Sequence, residues 1–79
     1  MKSKYIVVEK NGLYLPIVFS ELMSHSDIAR AIGGKVLGAG FCYVNYVFTY
    51  TCYGKSTSLG INSREGIDSD ILTEMLIDD

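Results

Sequence analysis

One proline, one histidine and two cysteines stand among 79 residues, and there is no tryptophan. Two cysteines are too few for the disulfide framework of a small secreted domain. No window holds the ~18 uninterrupted apolar residues of a membrane span. The opening stretch MKSKYIVVEK has too short an apolar run for a secretion signal. These absences point to a cytoplasmic chain. Charged residues are only 20% against 48% apolar, which is a folded rather than a disordered composition. At this length residues 1–79 make one domain, and such a chain buries roughly 60% of its unfolded surface, so its core is small.

Charge is divided along the chain. Residues 1–64 carry all seven Lys and Arg against Glu9, Glu21 and Asp27, a net of +4. Residues 65–79 carry six acids and no base, a net of −6. Asp68, Asp70, Glu74, Asp78 and Asp79 are the candidate acidic surface, with Glu65 just ahead of them. The plainer reading is that these acids solvate the outer face of a terminal helix.

Residues 4–9 and 13–19 are rich in β-branched and aromatic side chains, and Asn11-Gly12 between them predicts a type I′ hairpin. A two-residue loop sets Lys10 opposite Leu13, Val8 opposite Leu15 and Ile6 opposite Ile17. One face then collects Ile6, Val8, Leu13, Leu15 and Ile17, and the other Tyr5, Val7, Glu9, Tyr14, Pro16 and Val18. Pro16 lacks an N–H, so its strand lies at an edge or ends its pairing there. Ser24 caps a helix over residues 25–32, with Asp27 reaching back, Met23 and Ile28 as a staple and Gly33-Gly34 as the stop. Residues 36–44 form a strand that turns near Asn45 and returns over residues 47–53. Gly54-Lys55 is either a second tight turn into residues 56–59 or a bend in one long strand. A last helix started at Ser63 would place Asp68 in the middle of the apolar arc of Ile71, Leu72, Met75 and Leu76. Taking Asp68 as its N-cap removes that conflict. The expected fold is α+β: a ββαββα chain with an antiparallel sheet of four or five strands and two short helices on one face.

Chemistry-bearing motifs fail on inspection. Gly38-Ala39-Gly40 lacks the third glycine of a dinucleotide loop, since Tyr43 stands there, and no helix follows. Gly54-Lys55-Ser56 would need glycine at Thr49 to be a phosphate loop. Gly38 and Gly40 share a strand face with Cys42 and read as a smooth surface for close packing. His25 has no hydrogen-bonding partner within reach on its own helix, so it reads as a partly exposed structural histidine. Cys42 and Cys52 lack metal-ligand spacing and read as buried thiols on one strand parity, whose cross-strand pairing stays open. The C-terminal acids lack calcium-loop spacing. The sequence therefore predicts no enzyme, no metal and no cofactor, with a small enzyme or metal protein centred on His25 and the cysteines as the least favoured alternative. Scattered bases and a pI near 5.2 argue against direct nucleic-acid binding.

The strongest signal is apolar surplus. Two short helices on one face leave the other bare, and Tyr5, Val7, Tyr14, Val18, Tyr43, Tyr46, Tyr50 and Tyr53 are the candidate interface. Re-burying about 400 Å² is worth roughly 10 kcal/mol before the cost of association. The expected partner is a second copy or another protein.

Residues Tyr5-Ile6-Val7-Val8-Glu9, Asn11-Gly12-Leu13, Pro16-Ile17-Val18-Phe19, Ser24-His25, Gly38-Ala39-Gly40-Phe41-Cys42 and Tyr53-Gly54-x-Ser56-x-Ser58-Leu59 resemble small proteins encoded in phages and prophage regions. The resemblance spans most of residues 5–59 and implies a bacterial or phage cytoplasmic setting. Accessory proteins of this kind bind host or phage proteins, and some inhibit defence complexes with acidic surfaces that imitate DNA. An acidic decoy is thus the rival expectation to a protein-interaction module.

Overall fold

The central strand decides the architecture. β1 (Ser3–Lys10) carries Tyr5, Ile6, Val7 and Val8 in succession, and all four are fully buried in the computed structural model, which describes residues 2–77. Successive side chains of a strand point to opposite faces, so both faces of this sheet are covered. β2 (Leu13–Phe19), β1, β3 (Lys35–Val44) and β4 (Tyr50–Tyr53) form the sheet in the order β2-β1-β3-β4, antiparallel throughout. The first hairpin has the expected register, with Asn11 and Gly12 both at positive φ.

Helix α1 (His25–Ile32) and helix α2 (Glu65–Leu76) pack on opposite faces, not on one. Ile28, Ala29 and Ile32 of α1 join Ile6, Val8 and Ala39, together with Leu15, Ile17, Phe19 and Val36. Leu72 and Ile71 of α2 join Tyr5, Val7, Cys42 and Cys52, together with Val18 and Tyr50. Each helix therefore needs to shield only one side. A bulge in β3 opposite Val7 and Val8 leaves Leu37 unpaired and returns Val36 to the α1 face.

The α1 cap is as expected, with the Asp27 N–H donating to Ser24 Oγ at 3.1 Å and Gly33 ending the helix at φ 78°. The Asp27 carboxylate, however, pairs with Arg30 rather than reaching back. After β4 the chain turns at Gly54, whose φ is 79°. It is not a tight hairpin turn: a bend at this one residue separates β4 from the next strand, which joins another sheet. β5 (Lys55–Ser56) pairs with β6 (Ile61–Asn62) as a separate two-stranded sheet.

Both edges of the main sheet are blunted. A two-residue loop makes Lys10–Leu13 a hydrogen-bonded pair, so Pro16 falls at a site where the missing N–H would face away from β1. On the other edge, α2 supplies hydroxyls to β4. The Tyr50 N–H donates to Thr73 Oγ1 and the Cys52 N–H to Ser69 Oγ, both at 2.9 Å. Ser69 and Thr73 are one helical turn apart and meet alternate residues of the strand, which leaves that edge unsuited to pairing with another chain.

Candidate interaction surface

Asp68 is not a surface acid and does not cap α2. The helix starts at Glu65 after Arg64, and Asp68 lies in its first turn with no exposed surface. Its Oδ2 accepts from the Arg64 N–H at 2.9 Å and lies 2.5 Å from the Tyr5 hydroxyl, while Oδ1 accepts from Arg64 Nε at 2.9 Å. Ser63 Oγ lies 2.7 Å from the same hydroxyl. A phenol has one proton, which the carboxylate takes, so the serine donates to Tyr5. Burial and the adjoining carboxylate push the Tyr5 hydroxyl well above its ordinary pKa. A Cβ at Gly38 would overlap the Asp68 carboxylate, and one at Gly40 would strike the Tyr53 carbonyl. The expected close packing at these glycines is met by one helix side chain and one backbone. Asp70, Glu74 and Glu65 are exposed. Asp78 and Asp79, the remaining candidate acids, lie outside the described residues.

His25 is buried rather than partly exposed. Its Nε2 lies 2.8 Å from the Gly40 carbonyl, which can only accept, so Nε2 carries the proton. Phe19 and Phe41 meet its ring edge-on at 5.5 and 6.1 Å. Burial lowers its pKa, and Lys4 adds to the effect. Cys42 and Cys52 face each other across β3 and β4 as buried free thiols. Burial pushes Cys42 up to about 12 and Cys52 up to about 11, so neither is an ionised nucleophile near neutral pH. Among the described residues no group of three or more His, Cys, Asp or Glu is placed to hold a metal ion, and no helix is long and apolar enough to cross a membrane.

The structure splits the candidate interface into four groups. Tyr5 and Val7 are core residues under α2 and cannot line an interface. Val18 and Tyr50 pack against that same core. Tyr14 sits beside Glu9 on the far edge strand, at the opposite end of the sheet. Tyr43, Tyr46 and Tyr53 remain on or near the β3–β4 hairpin, where Tyr53 lies against Phe41 and Tyr43.

That hairpin ends in the loop of residues 45–49, and its tip is apolar and exposed. Tyr46 is fully exposed, Val47 is 75% exposed and Phe48 73%, with Tyr43 and Val44 about half exposed below them. Asn45 holds the loop in shape. Its Oδ1 accepts from the Val47 N–H at 3.1 Å, the Thr49 N–H at 3.2 Å and Thr49 Oγ1 at 2.9 Å, and its Nδ2 donates to Thr51 Oγ1 at 3.3 Å. Backbone bonds from Asn45 to Thr49 and from Phe48 to Asn45 close the turn. Phe48 adopts φ 58°, the left-handed region. Beside the tip lies an open hollow of about 710 Å³ lined by Tyr43, Val44, Asn45, Tyr46 and Phe48.

Tyrosine content points toward this hairpin but does not single out Val47 and Phe48. The available signal was charge: residues 36–54 contain no Asp, Glu, Lys, Arg or His. A strand pair that reaches its turn without one polar charge has nothing to keep its tip wet. No protein-family model, curated protein or solved structure matches the chain.

Proposed function

We propose that this chain is a non-enzymatic protein-interaction module whose binding element is the β3–β4 hairpin tip. Phe48 carries the reading. A bulky residue at positive φ is strained, and a turn of this kind favours Gly or Asn. The other positive-φ positions of the described residues are Asn11 and five glycines. Phe48 has no core contact to offset its strain, because most of its surface faces solvent. Neither conformation nor packing accounts for an aromatic side chain there, whereas contact with a partner does. The Asn45 bonds pre-order the loop and so reduce the entropy lost on binding.

The acidic-decoy reading is weakened by the burial of Asp68 within its own set of partners. The resemblance of residues 5–59 to small phage and prophage proteins supports a cytoplasmic bacterial or phage protein as the setting for such contacts. A photo-crosslinking phenylalanine analogue at position 46, introduced in cells, is expected to give a discrete protein adduct that Val47→Asp abolishes. Absence of any adduct dependent on the tip would remove the proposal.

A further inference from the structure

We propose that the partner of the hairpin tip is a second copy of this chain, docked tip to tip about a two-fold axis; this rests on the interaction-module reading above. The first argument is shape. A two-fold interface must be self-complementary, with residue i meeting j and j meeting i. The tip carries both halves of such a fit: Tyr46 projects fully into solvent, and one side of its ring also walls the open hollow that it shares with Tyr43, Val44, Asn45 and Phe48. Each Tyr46 enters the hollow of the other copy.

The second argument is charge. A two-fold contact sets a patch against itself, so a patch with charge of one sign meets the same sign in its partner. Residues 36–54 have none, although the chain as a whole carries −2. The other exposed apolar side chains on regular elements lie beside charge: Ile67, Met75 and Leu76 share α2 with Asp70 and Glu74, and Leu13 and Tyr14 of β2 pair with Lys10 and Glu9. A two-fold contact through α2 would bring those acids toward their own copies.

Area supplies the third argument. At ~200 Å² for a full aromatic side chain, the exposed parts of Tyr43, Tyr46 and Phe48 offer roughly 400 Å², and Val44 and Val47 raise the patch to roughly 600 Å². Complete burial of both patches removes at most roughly 1,200 Å², the lower end for a specific complex. The association is therefore reversible and dependent on concentration. Edge pairing is not its basis, since Pro16 and the α2 hydroxyls blunt both edges.

Sedimentation equilibrium from about 1 μM to about 1 mM tests this. The unmodified chain is expected to pass from monomer to dimer across that range. Tyr46→Ser and Phe48→Gly are expected to stay monomeric with unchanged circular dichroism, and Met75→Ser to dimerise as the parent does. Phe48→Gly suits the local backbone, so it separates lost contact from lost fold. A monomer throughout the range overturns the proposal, as does a dimer insensitive to the tip or sensitive to Met75. Tip-dependent adducts to a different protein, or tip-dependent flotation with phosphatidylcholine vesicles, from a strictly monomeric chain also overturn it. The protein adducts would leave the interaction-module reading intact, whereas no tip-dependent partner of any kind would sink both.

Discussion

The first turn of α2 and the tip of the β3–β4 hairpin invert the usual sorting of side chains in opposite senses. At the first, a carboxylate lies inside; at the second, two aromatics and a valine lie outside. The buried carboxylate is matched group for group, by Tyr5, by the Arg64 N–H and by the Arg64 side chain. Such a set offsets the several kcal/mol of desolvation that an unpaired ion would incur. The exposed aromatics have no comparable set of contacts within the chain. An inversion that is compensated locally belongs to the fold, and one that is not belongs to whatever meets the fold from outside.

If that distinction is right, damage to the first region should cost stability and damage to the second should not. Asp68→Ala leaves the Tyr5 hydroxyl and the Arg64 donors without their acceptor, and it is expected to lower unfolding free energy in urea by about 3 kcal/mol. Gly38→Ala should be severe for the same reason, because the new methyl overlaps the carboxylate. In the Asp68→Ala background most of that cost should vanish, which a double-mutant cycle measures directly. Additive effects would mean that Gly38 serves something other than room for Asp68.

The conflict at Asp68 shows how much of the fold the sequence revealed. A helix started near Ser63 puts this acid in the apolar arc, and the structure keeps both the early start and the conflict. Cap rules favour moving the helix start; the partners of the inward acid instead make it tolerable, and Arg64 is 4 residues and Tyr5 is 63 residues away from it in sequence. Local periodicity sees only the nearer kind of partner. Placing both helices on one face failed for a related reason. The unbroken run from Tyr5 to Val8 marks a strand covered on both sides, whereas the shortness of the two helices suggests cover for one face only. The hairpin register, the α1 cap and the edge position of Pro16 were legible because each is set within a few residues.

Another polar group inside the molecule, His25, offers a pH test of the same comparison. Its pKa is lowered by burial, so between the folded value and about 6.5 the unfolded chain binds more protons. Stability from this group is complete above pH 6.5 and is lost as pH falls through that value toward the folded pKa. Thermal melts between pH 8 and 5 should show the decline, and His25→Gln should flatten it. A profile unchanged by the substitution would assign the slope to the carboxylates.

Smaller effects are expected where α2 caps the sheet edge. Ser69→Ala and Thr73→Ala each leave one buried or half-buried strand amide short of its acceptor, at about 1 kcal/mol. Hydrogen exchange should quicken at Cys52 for the first and at Tyr50 for the second. Exchange that stays slow at both would mean that burial under the helix, not the hydroxyls, protects the edge.

The tip should respond least and with the opposite sign. Phe48→Gly exchanges a strained left-handed residue for one that adopts φ 58° at little steric cost. Glycine also gains chain entropy when unfolded, which opposes the benefit. The net expectation is a stability change between zero and about 1 kcal/mol in favour of the variant, read from urea midpoints. A clear loss of stability would show that Phe48 contacts its own molecule in solution, and the hairpin tip would then join the first turn of α2 as a feature explained by the fold alone.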